Sequence, residues 1–464
     1  MPPTAVAPAR RPVLGRAPVA VLVVLGYVAI LHYAYANHIA PIFTYLQFGY
    51  RSPDPFGYAV AIALVVAIAL VLPRQIARPS HLIAWVLFLI AVLPSLVVPQ
   101  YAPALSRPAA LELALWGGGC FLLVAVIGTR QPLRGFVPLM PLRPRTWWAL
   151  IALLFVVLNC YVLLAIGVNW TLPSFNDVYG VRGEFRIEEA EFPALGYVVP
   201  MLDKIVNPLM IVRGLFTRRW GWALAGTVGE LYLYAEQGNK TASLAPIALV
   251  AAFLFLRMRR PTGSTVLVAA SIGSVVVMTV DWLLASNDLT SLFIRRTLVL
   301  PGLTTAGYVQ VFDDAPKAQL GHSVLSSYVH YPYDKEPPDL VGAGFFGNPD
   351  THANGNWLAD GYANFGYLGM LAATIVLILL LWAVDDAARG LSAPFACMMF
   401  VVPAISLAES AILTAILTHG FFALIVLCAL APRDWPPTTE DGPGGRGEVA
   451  TAATQRPAAS ATRP

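Results

Sequence analysis

Apolar runs close to twenty residues long recur through the chain, separated by short polar stretches. A helix needs about 20 apolar residues to cross the hydrocarbon of a bilayer. Runs of that kind lie near 17–36, 56–73, 81–98, 108–128, 147–168, 194–212, 220–236, 242–256, 264–285, 364–384, 394–408 and 412–431. The last two form one stretch too long for a single crossing, and Glu409-Ser410 is where it is expected to turn. The pattern predicts an all-α, polytopic membrane protein with about twelve transmembrane helices. These form one transmembrane domain over 1–431. The remainder, 432–464, is rich in Pro, Gly, Ala and Thr and reads as a disordered tail.

Composition supports the pattern. Of 464 residues, 57% are hydrophobic and only 12% charged, about half the share usual in soluble domains. A net charge of +4 is too small to suggest a nucleic-acid partner. Cys120, Cys160, Cys397 and Cys428 all lie inside apolar runs without metal-ligand spacing, as packing residues do.

Arginine placement sets the orientation, since basic loops stay cytoplasmic. One set of short loops holds Arg10, Arg11 and Arg16; Arg74 and Arg78; Arg130, Arg134, Arg143 and Arg145; Arg213, Arg218 and Arg219; and Arg257, Arg259 and Arg260. With twelve spans both termini are then cytoplasmic. The opposite loops are extracytoplasmic, and two are large: 169–193, and 286–363 between spans nine and ten. Loops of that length are commonly functional.

Cations on those loops defy the usual sidedness and need a reason. Arg182 and Arg186 in the third outer loop are four apart, so a helical turn puts both on one face, with Glu184 between them. Guanidinium binds phosphate bidentately and stays charged, so a diphosphate clamp is one reading and a solvated helix with local ion pairs the other. Lys240 stands alone in the tight turn after span seven, placed either to meet a phosphate or to snorkel to headgroups. Arg295 and Arg296 open the large fifth loop, at the edge of a span.

That loop ends in NGNWLADGYANFGYLGM, 354–370. Asn356, Asp360 and Asn364 carry a polar run into the last long span, and polar groups at such a position line wet cavities. Trp357, Tyr362, Phe365 and Tyr367 suit a headgroup belt or stacking on sugar rings. His322, His330 and His352 lack zinc-ligand spacing, and no other metal site stands out. His352 is a candidate general base at neutral pH, with Glu184 and Asp360 as carboxylate alternatives. Inside the spans, Glu112, Asp203, Lys204, Glu230 and Asp281 read as structural ion pairs or a proton relay. Asp203 and Lys204 are neighbours, so they are expected to point apart and find other partners.

Three segments, 176–196, GNKTASLAPIALV at 238–250 and NGNWLADGYANFGYLGM, together with the topology, resemble the bacterial O-antigen polymerase family, the Wzy-type polymerases of oligosaccharide repeat units. That family carries arginines in outer loops three and five in an R-x10-G pattern. Arg296 to Gly307 fits it, whereas Arg186 to Gly196 is one residue short. The resemblance implies a metal-independent, cofactor-free, GT-C-like glycosyltransferase at the outer face of a bacterial plasma membrane. Donor and acceptor would both be glycans on polyprenyl diphosphate; whether a chain-length regulator joins them is left open. Arg182, Arg186, Lys240, Arg295 and Arg296 would hold the diphosphate, and Asn356, Tyr362 and Asn364 the sugars. Glu184, His352 or Asp360 would take the acceptor proton. Two alternatives remain at this point: an O-antigen ligase-like transfer of a finished glycan to another envelope acceptor, and a transporter or flippase. The latter would call for two similar halves, which the sequence lacks.

Overall fold

A computed structural model describes residues 17–131, 133–168, 185, 191–323 and 326–435. In chain order the helices are α1 (Pro18–Leu46), α2 (Pro55–Val71), α3 (Pro79–Tyr101), α4 (Arg107–Gly128), α5 (Pro144–Ile166), α6 (Leu195–Thr217), α7 (Trp220–Gln237), α8 (Lys240–Leu256) and α9 (Gly263–Leu284). They continue with α10 (Leu300–Phe312), α11 (Pro337–Gly344), α12 (Trp357–Ala387), α13 (Ala393–Met399), α14 (Val401–Leu407) and α15 (Ile412–Leu430). No strand occurs among the described residues beyond a single bridge, Gln75 to Thr262.

Among the described residues, eight helices (α1, α3, α4, α5, α6, α9, α12 and α15) are long and apolar enough to cross a membrane. The chain is an all-α, polytopic membrane protein. The apolar α2 and α8 are shorter. Two expected spans are not single unbroken helices: 394–408 forms α13 and α14, seven residues each, and 412–431 is interrupted between Leu417 and Phe421, where Gly420 takes φ 89°. Pro403 has no N–H to give the Met399 carbonyl, so a helical hydrogen bond is missing at the break between α13 and α14.

Helix starts are written in the sequence. Pro55, Pro79 and Pro144 occupy first helical positions, where a missing N–H costs nothing. Asp54 and Ser106 cap α2 and α4 by accepting from Gly57 N and Ala109 N. Burial then separates centre from rim. In α3, 89% of the apolar window is buried, against 11% in α5 and 22% in α9. Leu153, Val156 and Leu164 on α5, and Ile272, Val276 and Trp282 on α9, are exposed as lipid-facing side chains should be.

Loops of the basic set meet one another. Ile76 N donates to Pro261 O (3.0 Å), Gly263 N to Arg74 O (3.1 Å) and Leu142 N to Leu430 O (2.9 Å). On this face Asp385 and Asp386, at the end of α12, act as a clip. Asp385 accepts from Ser80 N and Oγ at 2.9 and 2.7 Å, with Arg78 at 3.5 Å. Asp386 accepts from Gly135 N and Val137 N, both at 2.8 Å, and pairs with Arg389 at 2.9 Å. Asp386→Ala strands two backbone donors and a guanidinium. We expect a stability loss of about 2–4 kcal/mol, seen as a lower midpoint of thermal unfolding in detergent. An unchanged midpoint would show that the clip is dispensable.

The segment expected as a 78-residue outer loop, 286–363, dives into the bundle. A π-helical stretch, Thr290–Val299, leads into α10. Helix α10 is mostly buried, and its Gly302 lies so close to α3 that a Cβ would sit 2.3 Å from Pro94 O. Helix α12 begins at Trp357 and breaks at Phe365 (φ −147°, ψ 24°) and Gly366 (φ 63°, ψ −149°). Residues 357–364 form a short buried piece, and the membrane-length piece starts after the break. The two fold sharply on each other: a Cβ on Gly369 would lie 1.9 Å from Gly361 O. Glycine is required at both positions, at Gly366 for its backbone angles and at Gly369 for space. Gly366→Ala and Gly369→Ala are each expected to lower stability by about 1–3 kcal/mol. Gly119→Ala, where nothing lies within 4 Å, is the control that should not.

Candidate functional site

The break in α12 gathers polar side chains. Asn356 caps α12, accepting from Leu358 N (3.0 Å) and Ala359 N (3.2 Å). Its amide donates to Thr305 Oγ1 on α10 (3.0 Å), and Ser95 of α3 donates to the same hydroxyl (3.0 Å). All three are buried, so this chain of hydrogen bonds ties α3, α10 and α12 together.

One turn along, Asn364 Nδ2 donates to the Asp360 carboxylate (3.1 Å) and to Asp360 O (2.9 Å), while its Oδ1 accepts from Leu320 N (2.7 Å). His322 Nε2 lies 3.7 Å from the same carboxylate oxygen, Asp360 Oδ1. Ala318 N and Gln319 N donate to Ala363 O and Asn364 O, and Gln319 and Leu320 take positive φ to do so. The 317–322 segment thus covers the helix break. Asp360 and His322 are largely buried there, their side chains 12% and 17% exposed. A carboxylate held by an amide beside an imidazole can accept a proton from a hydroxyl brought to it.

Tyr362 donates to Asp313 Oδ1 (3.1 Å), and the Lys317 ammonium stands 4.7 Å from the Tyr362 ring centre. Lys317 also donates to the Phe312 and Asp313 carbonyls, at the C-terminal end of α10. Burial lowers its pKa, against the opposing pull of Asp313 and Asp314. Trp357 is completely buried, so it is a core residue and not a sugar-stacking surface. Tyr367 stacks on Trp116 (5.4 Å, 9°).

The other expected residues are distributed as follows. His352 pairs through Nδ1 with Asp339 (2.7 Å), apart from the Asp360 contact. With Glu336 these two offer ligand atoms within 4.8 Å of one another, the one group of this kind among the described residues. Arg295 lies over the Phe43 ring (4.4 Å) and donates to Ser291 Oγ (3.0 and 2.7 Å). No described residue forms a hydrogen bond or ion pair with Arg296 that the geometry records, and it is half-buried. Arg296 is nine residues from Thr305, roughly 13 Å along a helix. Arg182, Glu184 and Arg186 lie outside the described residues, as does the side chain of Lys240, whose backbone opens α8.

Two clefts, about 530 and 450 Å3, are lined by α5–α7 and α1–α2 residues, and neither includes the Asp360 cluster. Asp203 and Lys204 do not point apart: Lys204 Nζ donates to Asp203 Oδ2 at 3.0 Å. On a π-helical turn, Leu202–Val206, successive side chains can curl back toward each other, which simple 100° spacing does not anticipate.

Sequence reasoning passed over Lys317 and Thr305, and also Arg51 and Arg107, and it read Asp313 with Asp314 only as a plain acidic pair. Burial and the charge of nearby Arg107 both lower the Arg51 pKa. The sidedness rule applied to every outer-loop cation would have found Arg51, Arg107 and Lys317. Thr305 carries no signal in the sequence. Among known proteins, no family model, no curated protein and no solved structure matches this chain.

Proposed function

We propose that this protein is a membrane glycosyltransferase of GT-C-like, twelve-span topology. It extends polyprenyl-diphosphate-linked oligosaccharides at the outer face of a bacterial plasma membrane. The observation that carries the proposal is the buried Asp360 carboxylate, held by Asn364 and faced by His322 at the break in α12.

Transfer to a sugar hydroxyl has two demands. The hydroxyl must lose its proton, and the departing diphosphate must be stabilised as it gathers charge. Asp360 meets the first, with Asn364 fixing its carboxylate. Arg296 meets the second from the π-helical stretch that leads into the same buried segment; the resemblance adds Arg182, Arg186 and Lys240. Arg295, seated on Phe43, positions this stretch. Asn356 and Tyr362 shape the wall against the sugars.

Deletion of the gene tests the assignment in cells. A polymerase leaves single repeat units on lipid, and the ligase-like reading predicts long lipid-linked polymer instead. Normal surface glycan in the deletion strain would remove both.

A further inference from the structure

A second polar cluster lies between α6 and α7, away from the α12 break. Asp203, Asn207 and Glu230 are 1%, 0% and 0% exposed. Asp203 and Asn207 are four apart on α6, so they share a face. Asn207 lies against α7 beside Glu230: a Cβ on Gly229 would be 2.8 Å from its Oδ1. Glu230 reaches within hydrogen-bond distance of Asp203.

The donors do not go round. Asp203 Oδ2 takes both, Lys204 Nζ at 3.0 Å and Asn239 Nδ2 at 3.2 Å. Asp203 Oδ1, Asn207 Oδ1 and both Glu230 oxygens have no hydrogen-bond donor, and the one spare donor, Asn207 Nδ2, has no acceptor, which leaves four unpaired oxygens against one N–H group. Two carboxylates facing each other offer acceptors only. Among the described residues these two carboxyl groups share one ammonium, Lys204, and ionising both in a buried, membrane-embedded site is costly unless a further cation joins them.

The backbone adds a further acceptor. In the π turn Leu202–Val206, Asn207 N donates to Leu202 O. The next residue is Pro208, which has no N–H. The Asp203 carbonyl therefore loses both its i+4 and its i+5 donor. Interrupted helices that free carbonyls beside buried carboxylates are how membrane proteins coordinate small cations.

We propose that Asp203, Asn207 and Glu230 form a binding site for one alkali-metal ion. The ion supplies the missing positive charge and engages the oxygens that lack donors. Asn239, in the turn between α7 and α8, and Lys204 border the site. His419, hydrogen-bonded to Ser410 (2.9 Å), is close enough to feel the Lys204 charge. Asp203, Lys204, Glu230 and His419 are thus the titratable groups to be separated.

Thermal unfolding of the full-length protein in detergent, at constant ionic strength, tests this. Sodium chloride replaces choline chloride at pH 8, and in parallel the pH is lowered in choline alone. An alkali-ion site gives a saturable midpoint rise of about 2–4 °C with sodium. A rise on acidification with none from sodium marks a protonated carboxyl in place of a metal ion and overturns the proposal. The sodium response should vanish in Glu230→Gln, weaken in Asn207→Ala and survive in His419→Gln. A wild-type protein indifferent to sodium overturns the proposal, whether or not the variants fold. So does a response that persists in Glu230→Gln.

Discussion

Asp360→Asn is expected to lower glycosyl transfer by about 10²- to 10⁴-fold, the range for removing a positioned general base. The substitution is nearly isosteric, and the amide oxygen can still accept from Asn364, so the helix break should persist. What disappears is the ability to hold a proton. Substrate binding should change little, so the loss is expected in kcat and not in KM. Two companions sharpen the result. Asn364→Ala removes both the amide that orients the carboxylate and the acceptor for Leu320 N, so activity and stability should fall together. His352→Gln touches the separate Asp339 pair and should leave transfer near wild type. If His352→Gln abolished activity while Asp360→Asn did not, the roles would have to be exchanged.

Arg296→Ala carries the second large effect, about 10²- to 10³-fold in kcat, as for losing one preorganised donor to a developing anion. In cells the expected phenotype is loss of polymer with single repeat units retained on lipid. Arg296→Lys should recover part of the rate, because the charge returns without the bidentate fork. Arg295 gives the contrast. Its guanidinium lies over Phe43 and on Ser291, so Arg295→Ala should lower stability as well as rate. Normal polymer lengths in the Arg296→Ala strain would remove that residue from the mechanism.

Much of the fold was legible because a bilayer leaves few choices. Length and apolarity alone located the helices, and the arginine alternation grouped loops that do contact one another, such as 74–76 with 261–263. Breaks were harder to see. Gly366 and Pro403 interrupt helices through single backbone positions inside runs whose hydropathy does not change. The buried helix α10 was hidden for a related reason. It is 13 residues long, too short to register as a span, and it is stabilised by contact with α3 and α12, which no local pattern records. At the site, the polar run 354–364 announced itself, whereas its partners did not. Thr305, Asp313 and His322 lie 38 or more positions from the residues they touch, and only the fold brings them there. The Asp203–Lys204 contact shows the converse error, a geometric rule for regular helix applied to a π turn.

The most direct measurement is reconstitution of the purified protein in liposomes with a defined polyprenyl-diphosphate oligosaccharide and no other enzyme, reading the products by mass. The account predicts lipid-linked products that grow by whole repeat units, with release of polyprenyl diphosphate, and no growth with Asp360→Asn. Unaltered substrate in the presence of folded wild-type protein, or its mere passage across the bilayer, would contradict it.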